Sequence, residues 1–224
     1  MKVSVIIPAL NEAGNIGEIV KQTLAQPVQQ VIVVDNGSTD DTAAVARRAG
    51  AWVITESRRG YGRACAAGVA AAEADVIAFL DGDFNFSPTE LSIVITPIIS
   101  GRADLVLGSR VLGHIEAGAM PPQQRFGNWL AASLMRLLYG IPVTDLGSYR
   151  AIRRDLLLSL NMREMTFGWP TEMAVKAARR KARIVEVPVS FHARRMGKSK
   201  VSGTLRGTLL AGYYILGVTF RYAF

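Results

Sequence analysis

A chain of 224 residues, half of them apolar, can bury one sizeable core, whereas two independent domains would each be small. The single cysteine, Cys65, excludes a disulfide framework and a cysteine-ligated zinc site, and we expect it to be buried. The net charge of +8 is concentrated late in the chain: eleven Lys and Arg face one acid from Lys176 onward, whereas residues 1–175 carry fifteen against seventeen. Such a basic block is typical of a solvated face, but it also suits a membrane surface or a phosphate-bearing partner.

Short apolar runs alternate along the chain with segments of helical periodicity. The runs are VSVIIPA, VIVVD, AWVITE, VIAFLD and DLVLGS, and their Val and Ile content favours strands covered on both faces. Between them, residues 16–24 place apolar side chains at helical spacing, and DDTAAVARRAG and GRACAAGVAAAEA are typical of helices. The order predicts an α/β fold with a mostly parallel central sheet flanked by helices.

A polar or glycine-rich turn follows each of the five predicted strands. The turns read PALNE, DNGSTD, RRGYGRA, DGDFN and GSR. In an open parallel sheet, the carboxyl ends of the strands lie along one edge, and ligands bind there. Each turn alone has an ordinary explanation in turn chemistry, but five along one edge predict a binding site.

The sequence excludes several common nucleotide sites. PALNEAGN follows the first strand in place of the dinucleotide fingerprint, and no P-loop sequence occurs.

His114 and His192 are far apart and lack the spacing of metal ligands. The chain also has no recognisable helix-turn-helix, zinc-finger or RNA-binding motif, so we expect no nucleic-acid partner. The short apolar run at the N-terminus is broken at Pro8 and does not resemble a signal peptide, which favours a cytoplasmic protein.

The turns that remain fit a nucleotide with a diphosphate. Asp35 can accept a hydrogen bond from a base, and Gly37, Gly60 and Gly62 allow the backbone to approach a ribose. A nucleotidyltransferase would share this sheet, but it would carry a glycine-rich basic loop after the first strand, which is absent from PALNEAGN.

The DGDFN turn predicts a metal site. Asp81 and Asp83 are separated by one glycine, and two carboxylates so close together repel each other unless a cation lies between them. A hard divalent cation, Mg²⁺ or Mn²⁺, would satisfy both and bridge a diphosphate. Asn85 adds a neutral oxygen at the next alternating position.

Several motifs in the same order resemble family 2 glycosyltransferases of GT-A fold, and most closely the dolichol or polyprenyl phosphate mannose and glucose synthases. The motifs are SVIIPALNE, VVDNGSTDDT, RGYGRA, FLDGDFN, GSR, TDLGSYRAI and RRMGKSK. The resemblance implies an inverting transfer of a hexose from a nucleotide-diphosphate sugar to a lipid acceptor, polyprenyl phosphate. UDP-glucose is favoured over GDP-mannose only by the overall resemblance to bacterial relatives. A hydroxyl acceptor on a soluble molecule or a lipid remains the alternative.

The resemblance also implies roles for individual residues. The implied nucleotide-binding residues are Pro8, Ala9, Asn11, Glu12, Asp35, Gly37, Ser38, Gly60, Gly62, Asp81 and Gly82. The implied metal ligands are Asp81, Asp83 and Asn85, although many lipid phosphate synthases have glutamine at the last position. The implied contacts to the diphosphate or acceptor phosphate are Arg110, Arg125, Arg195, Lys198 and Ser199.

The need for a general base depends on the acceptor. A hydroxyl must lose its proton, whereas a phosphate oxygen is already ionised at neutral pH. Asp145 is the first candidate, with a helix cap or turn as an equally good interpretation, and Glu172 is the second, with a first-turn helix acid after Pro170 as its alternative.

The C-terminal segment is apolar. GTLLAGYYILGVTF, residues 207–220, contains no charge, and its fourteen residues fall short of the ~20 needed to span a bilayer as a helix. We divide the chain into a catalytic domain of residues 1–203 and an apolar helix of residues 204–224. This helix is expected to lie on the inner face of the membrane, or alternatively to pack on the core or on a second subunit.

Overall fold

All five apolar runs form strands of one sheet, which has seven strands within the described residues. The computed structural model describes residues 1–196 and 205–223. The strands are β1 (Val3–Ala9), β2 (Gln30–Asp35), β3 (Trp52–Thr55), β4 (Val76–Phe79), β5 (Leu105–Ser109), β6 (Arg150–Arg153) and β7 (Ile184–Pro188). The α-helices are α1 (Ala13–Leu24), α2 (Thr42–Arg48), α3 (Tyr61–Ala71), α4 (Leu91–Ile99), α5 (Pro122–Tyr139), α6 (Arg154–Ser159), α7 (Trp169–Arg179) and α8 (Leu205–Arg221).

The sheet is mostly parallel, as the sequence predicts. Its order is β3-β2-β1-β4-β6-β5-β7, and only β6 runs antiparallel to its neighbours. Strand β6 reads RAIR, and its flanking arginines hide the apolar pair from a search for apolar runs. Strand β7, IVEVP, is also missed because it is a short edge strand whose residues are only partly buried.

Helices cover both faces of the sheet. Side chains of α1, α2 and α4 pack with one face of the strands, and those of α3, α5, α6 and α7 pack with the other. Cys65 is buried in α3, as expected. Helix α3 lies so close to β1 that a Cβ atom on Gly68 would be 2.5 Å from Ile6 Cγ2. The α/β architecture is therefore a three-layer sandwich around the sheet.

The C-terminal helix α8 packs against α5 and α7. Val218 and Thr219 are buried, and the Tyr222 hydroxyl donates a hydrogen bond of 2.7 Å to Glu172 Oε1. Among the described residues, no helix combines the length and apolar character required to cross a membrane. One face of α8 thus belongs to the core, while Tyr213 and Phe220 remain exposed.

The ends of three strands are joined by one carboxylate, and this gives a test of stability against pH. Asp104 accepts hydrogen bonds from Arg183 Nε at 3.0 Å and Nη2 at 2.8 Å, and Arg153 Nη1 lies 3.5 Å away. The hydrogen bonds from Arg183 lower the pKa of Asp104 to about 2. A lowered pKa stabilises the fold above the unfolded value near 4, and the contribution is lost as the pH falls towards 2.

We expect Asp104→Asn to lower Tm by about 2–4 °C at pH 7, since it removes roughly 1 kcal/mol from a partly exposed network. At pH 2.5 the variant and the wild type should differ less. Thermal unfolding followed by circular dichroism between pH 2.5 and 7 measures both. An equal difference at the two pH values would contradict the assignment.

Candidate active site

A cleft of about 510 Å³ opens at the carboxyl ends of β1, β2, β4 and β5. Its lining includes nine of the residues predicted from sequence: Pro8, Ala9, Glu12, Gly60, Asp81, Gly82, Asp83, Asn85 and Arg110. The predicted residues that do not line it are Asn11, Asp35, Gly37, Ser38, Gly62, Arg125, Asp145, Glu172 and Arg195. Lys198 and Ser199 lie outside the described residues. The edge of the sheet predicted to bind a ligand is therefore the edge that carries the cleft.

The turns after β1 and β2 hold each other. The Asn11 backbone donates to Ser38 Oγ at 2.9 Å, and Asn11 Oδ1 accepts from the Thr39 backbone at 2.8 Å. Asp35 Oδ1 caps the turn by accepting from the Ser38 backbone at 3.1 Å. Asn11, Asp35 and Ser38 therefore stabilise the two turns beside the cleft without lining it.

Asn36, which the sequence analysis did not single out, joins the second turn to the third. Its side-chain amide donates to two backbone carbonyls, of Glu56 and Arg58, both at 2.9 Å. Its Oδ1 accepts from the Gly60 backbone at 2.8 Å. Asn36 is buried and lines the cleft, and its place directly after Asp35 in DNGSTD is the signal that could have found it.

Gly60 and Gly62 make room for the protein's own backbone. A Cβ atom on Gly60 would lie 2.4 Å from the Met165 carbonyl oxygen, and one on Gly62 would lie 2.5 Å from the Glu164 carbonyl oxygen. Gly60 also has φ of +150°, a conformation that side chains disfavour. The contact explains both glycines, and their approach to a ribose stays a prediction.

The two carboxylates after β4 lie together at the bottom of the cleft. Asp81 accepts hydrogen bonds from the Ser148 hydroxyl and, at 3.4 Å, from the Tyr61 hydroxyl. Burial, and then the charge of Asp83, raise the pKa of Asp81 to about 6. Burial also raises the pKa of Asp83, although Arg194 opposes this. In the described part of the chain, no group of three or more His, Cys, Asp or Glu side chains comes together to hold a metal.

The chemistry of this pair fits a divalent cation. Two partly buried carboxylates with raised pKa values are stabilised by a positive charge placed between them. Asn85 stands beside the pair, but its amide nitrogen donates to the His192 carbonyl at 2.7 Å and its backbone donates to Asp83 Oδ1 at 3.1 Å. Asn85 therefore links the Asp83 turn to the loop after β7, and its role as a metal ligand stays a prediction.

Asp145 is committed to Arg110. The buried carboxylate of Asp145 accepts from the Arg110 backbone at 2.8 Å and from Nε and Nη2 of its guanidinium, both at 2.6 Å. The backbone of Asp145 donates in turn to Glu186 Oε1 at 2.9 Å. Arg110 lines the cleft, with its guanidinium 5.0 Å from the centre of the Phe191 ring. In this arrangement both carboxylate oxygens of Asp145 bind Arg110, and its role as a general base stays a prediction.

Glu172 is also committed to structural partners. Its buried carboxylate accepts from the Arg163 and Glu164 backbones at 3.0 Å and 2.7 Å, from Lys176 at 2.7 Å and from Tyr222. Burial raises the pKa of Glu172, but the hydrogen bonds from Lys176, the Glu164 backbone and Tyr222 outweigh it, so the pKa is lower than usual. The residue fixes α7, α8 and the loop before α7 to one another.

Two further arginines stand by the carboxylate pair, and neither was singled out from sequence. Arg150, in LGSYR, is fully buried; its Nη1 donates to the Pro170 carbonyl at 2.6 Å, and burial lowers its pKa to about 10. Arg194 lies 3.0 Å from Asp83 Oδ2. The RR pair of RRMGKSK could have indicated Arg194, but the resemblance implies a phosphate contact for its neighbour Arg195. The guanidinium of Arg195 lies 4.2 Å from the centre of the Phe84 ring.

Arg125 lies on the exposed side of α5. Its Nε donates to the Met120 carbonyl at 3.2 Å, at the beginning of the helix. Its predicted contact with a phosphate stays a prediction.

Comparison with known proteins agrees with the fold. Residues 4–160 match the family described as Glycosyl transferase family 2, and the chain belongs to this family. The resemblance seen in the sequence motifs is thereby confirmed, and the protein is a glycosyltransferase.

Individual relatives cover nearly the whole chain. An uncharacterized glycosyltransferase of Mycobacterium tuberculosis is 39% identical over 93% of this chain and 94% of its own. The dolichyl-phosphate hexose transferase of Haloferax volcanii is 33% identical over 88% of this chain and 86% of its own. The undecaprenyl-phosphate mannosyltransferase of Micrococcus luteus is 29% identical over 99% of this chain and 96% of its own.

A solved structure shows the same fold. Glucosyl-3-phosphoglycerate synthase of Mycobacterium tuberculosis, in complex with Mn²⁺, UDP and glucosyl-3-phosphoglycerate, superposes with a TM-score of 0.81 at 24% identity, over 99% of this chain and 80% of its own. The GT-A fold expected from the sequence is confirmed.

The substitution Asp145→Asn can distinguish a positioning role of this residue from general-base catalysis. If Asp145 orients Arg110, Asp145→Asn leaves a buried guanidinium partly unpaired, which costs about 3–5 kcal/mol of stability. We expect a lower Tm and a lower kcat, with the acidic limb of the pH profile unchanged. Thermal unfolding and kcat between pH 5 and 9 measure these effects. A variant with wild-type Tm and a lost acidic limb would identify Asp145 as a base.

Proposed function

We propose that this enzyme transfers a hexose from a nucleotide-diphosphate sugar to polyprenyl phosphate, with inversion at the anomeric carbon. The observation that supports a lipid acceptor is the composition of the cleft wall formed by α5 and α8. Helices α5 and α8 line the cleft with the apolar side chains of Leu130, Ala131, Ile215 and Leu216, beside the polar side chains of Gln123, Gln124 and Asn128. The apolar part of this wall suits an isoprenoid chain.

The relatives support this choice of acceptor in part. Two of them are named for dolichyl phosphate and undecaprenyl phosphate, whereas the structural neighbour holds a phosphoglycerate product. The acceptors share a phosphate group, so a soluble phosphorylated acceptor is the second candidate. The apolar wall favours the lipid.

For the donor, we propose UDP-glucose and a divalent cation at Asp81 and Asp83. The structural neighbours were crystallised with UDP and Mn²⁺ or Mg²⁺, which supports a donor and a cation of these kinds. When bound, the cation would neutralise charge on the departing diphosphate. Asn85 and the turns after β1 and β2 would complete the donor site.

The remaining chemistry is assigned to arginines. Arg110, held rigidly by Asp145, would face the diphosphate or the acceptor phosphate with a preorganised positive charge. Because a phosphate oxygen is already ionised at neutral pH, attack on the anomeric carbon needs no general base. This agrees with the structural partners that occupy both Asp145 and Glu172.

We further propose that the enzyme works at a membrane surface. Phe126 and Trp129 of α5 are 62% and 61% exposed, and Tyr213 and Phe220 of α8 are 73% and 48% exposed. These two helices contact each other and both line the cleft, so their exposed aromatic side chains would meet the membrane that supplies a lipid acceptor. The basic C-terminal part of the chain would add attraction to anionic lipid. We define Phe126, Trp129 and Tyr213 as the aromatic patch.

The carboxylate pair gives the first test. We expect Asp81→Asn to reduce transfer from UDP-glucose by ~100-fold or more, because the cation loses a ligand at the leaving group. The variant should keep or raise Tm, since it removes a buried repulsion. Product formation with Mn²⁺, with Mg²⁺ and with EDTA, together with thermal unfolding, measures both effects. Wild-type activity in excess EDTA would exclude the metal role.

The aromatic patch gives the second test. We expect full-length protein to float with anionic liposomes at low salt, and a variant with all three patch residues changed to Ser to remain in the soluble fraction. The same variant should show a raised KM for polyprenyl phosphate in vesicles. Ile93→Ser on α4, also exposed but on the opposite face of the sheet, is the control and should float.

Acceptor preference is measured alongside flotation. Polyprenyl phosphate, a polyprenol and 3-phosphoglycerate are compared as acceptors of labelled glucose. Faster transfer to 3-phosphoglycerate than to polyprenyl phosphate, or wild-type protein that fails to float, would favour the soluble acceptor instead.

A further inference from the structure

Arg194 makes an unusual connection across the cleft. Its Nη2 lies 3.0 Å from Asp83 Oδ2 and 3.0 Å from Glu12 Oε1, and its Nη1 lies 3.0 Å and 3.2 Å from the two oxygens of Glu12. One guanidinium thus bridges a carboxylate of the proposed cation site and a carboxylate of the turn after β1. All three side chains are at most 16% exposed, so water screens the bridge weakly.

The loop that carries Arg194 is seated on the same turns. Asn85 exchanges hydrogen bonds with His192, as the His192 backbone donates to the Asn85 carbonyl at 2.8 Å and the Asn85 amide donates back. Met196 packs on α1 so closely that a Cβ atom on Gly14 would be 2.9 Å from its Sδ. The bridge is therefore one of several contacts that hold residues 192–196 against α1 and the turns after β1 and β4.

We propose that Arg194 is an internal counter-cation, which occupies Asp83 while the donor is absent and must leave it when the metal–nucleotide complex binds. This inference rests on the proposed cation site at Asp81 and Asp83. A guanidinium 3.0 Å from Asp83 Oδ2 and a divalent cation on the same carboxylate repel each other, and burial strengthens this repulsion. Binding of the cation is thereby coupled to a movement of the loop.

The hydrogen bonding of Arg194 agrees with a contact to Asp83 that is released when the donor binds. Its Nε is buried and has no hydrogen-bond partner within the part of the chain that the structure describes. Arg194 also lines the cleft, so a small movement would bring its free donor and its charge to a phosphate group. The arginine that protects Asp83 would then assist the leaving diphosphate.

The coupling predicts a specific effect on metal binding that does not depend on activity. In the absence of nucleotide, we expect Arg194→Gln to bind Mn²⁺ ~10-fold more tightly than wild type, because the competing charge is gone. UDP should increase Mn²⁺ affinity less in this variant than in wild type, since no bridge remains to be displaced. Free Mn²⁺ measured by electron paramagnetic resonance in titrations of the full chain, with and without UDP, gives both constants.

Matched variants separate this effect from a general change in charge. Arg195→Gln removes the neighbouring charge, which stacks on Phe84 instead of bridging carboxylates, and should change Mn²⁺ affinity by less than about twofold. Arg194→Lys keeps one charge that cannot span both carboxylates, and should give an intermediate gain. It also replaces Arg194→Gln if circular dichroism shows that the latter does not fold.

The outcomes distinguish this inference from the proposed function. If wild type binds Mn²⁺ with UDP and folded Arg194 variants bind Mn²⁺ no more tightly than wild type, the counter-cation role is wrong and the cation site stands. If wild type binds no Mn²⁺ even with UDP, the proposed cation site itself is wrong. Equal gains for Arg194→Gln and Arg195→Gln would also overturn the specific bridge.

Discussion

The repulsion between two partly buried carboxylates just after β4 is the constraint around which the cleft is organised. Burial raises the pKa of both carboxyls, and the charge of Asp83 raises the pKa of Asp81 further. Three arginines from distant parts of the chain interact with them: Arg110 after β5 and Arg150 at the beginning of β6 through the charge of Asp81, and Arg194 after β7 through a hydrogen bond to Asp83. The two carboxylates and the three arginines place negative and positive charge close together in the cleft. Such a site suits the proposed ligand, a cation bound to a diphosphate.

The three arginines differ in what holds them. Arg110 is fixed by Asp145, and Arg150 by backbone carbonyls, so both have partners outside the carboxylate pair. Arg194 is held by the carboxylates of the cleft itself. Two positive charges are thus built into the scaffold, whereas the third depends on what occupies the site. A structure arranged this way has both a rigid electrostatic frame and one exchangeable contact.

The side of the cleft that α5 and α8 form combines apolar side chains with amides, and it depends on the packing of the C-terminal helix. Helix α8 packs on α5 and α7, and the Tyr222–Glu172 hydrogen bond fastens its end. The carboxylate of Glu172 is therefore a junction between helices, and the apolar wall is a tertiary feature made from segments about eighty residues apart in the chain. The charged residues around Asp81 and Asp83 suit the phosphate of the proposed lipid acceptor, and the apolar side chains of α5 and α8 suit its hydrocarbon chain.

The sequence by itself determined the α/β class, the five apolar strands, the edge of the sheet that carries the cleft and the close pair Asp81 and Asp83. These follow from local patterns, because burial on both faces and turn chemistry act within a few residues. Strand β6 was missed because its partners β4 and β5, and not its own composition, make it a strand. The partners of Asp145 and Glu172 were also beyond the sequence, which offers a carboxylate but not the arginine or tyrosine that uses it. Only the tertiary structure decided these points, because the energy of a buried charge depends on neighbours that the fold brings from tens to more than a hundred residues away.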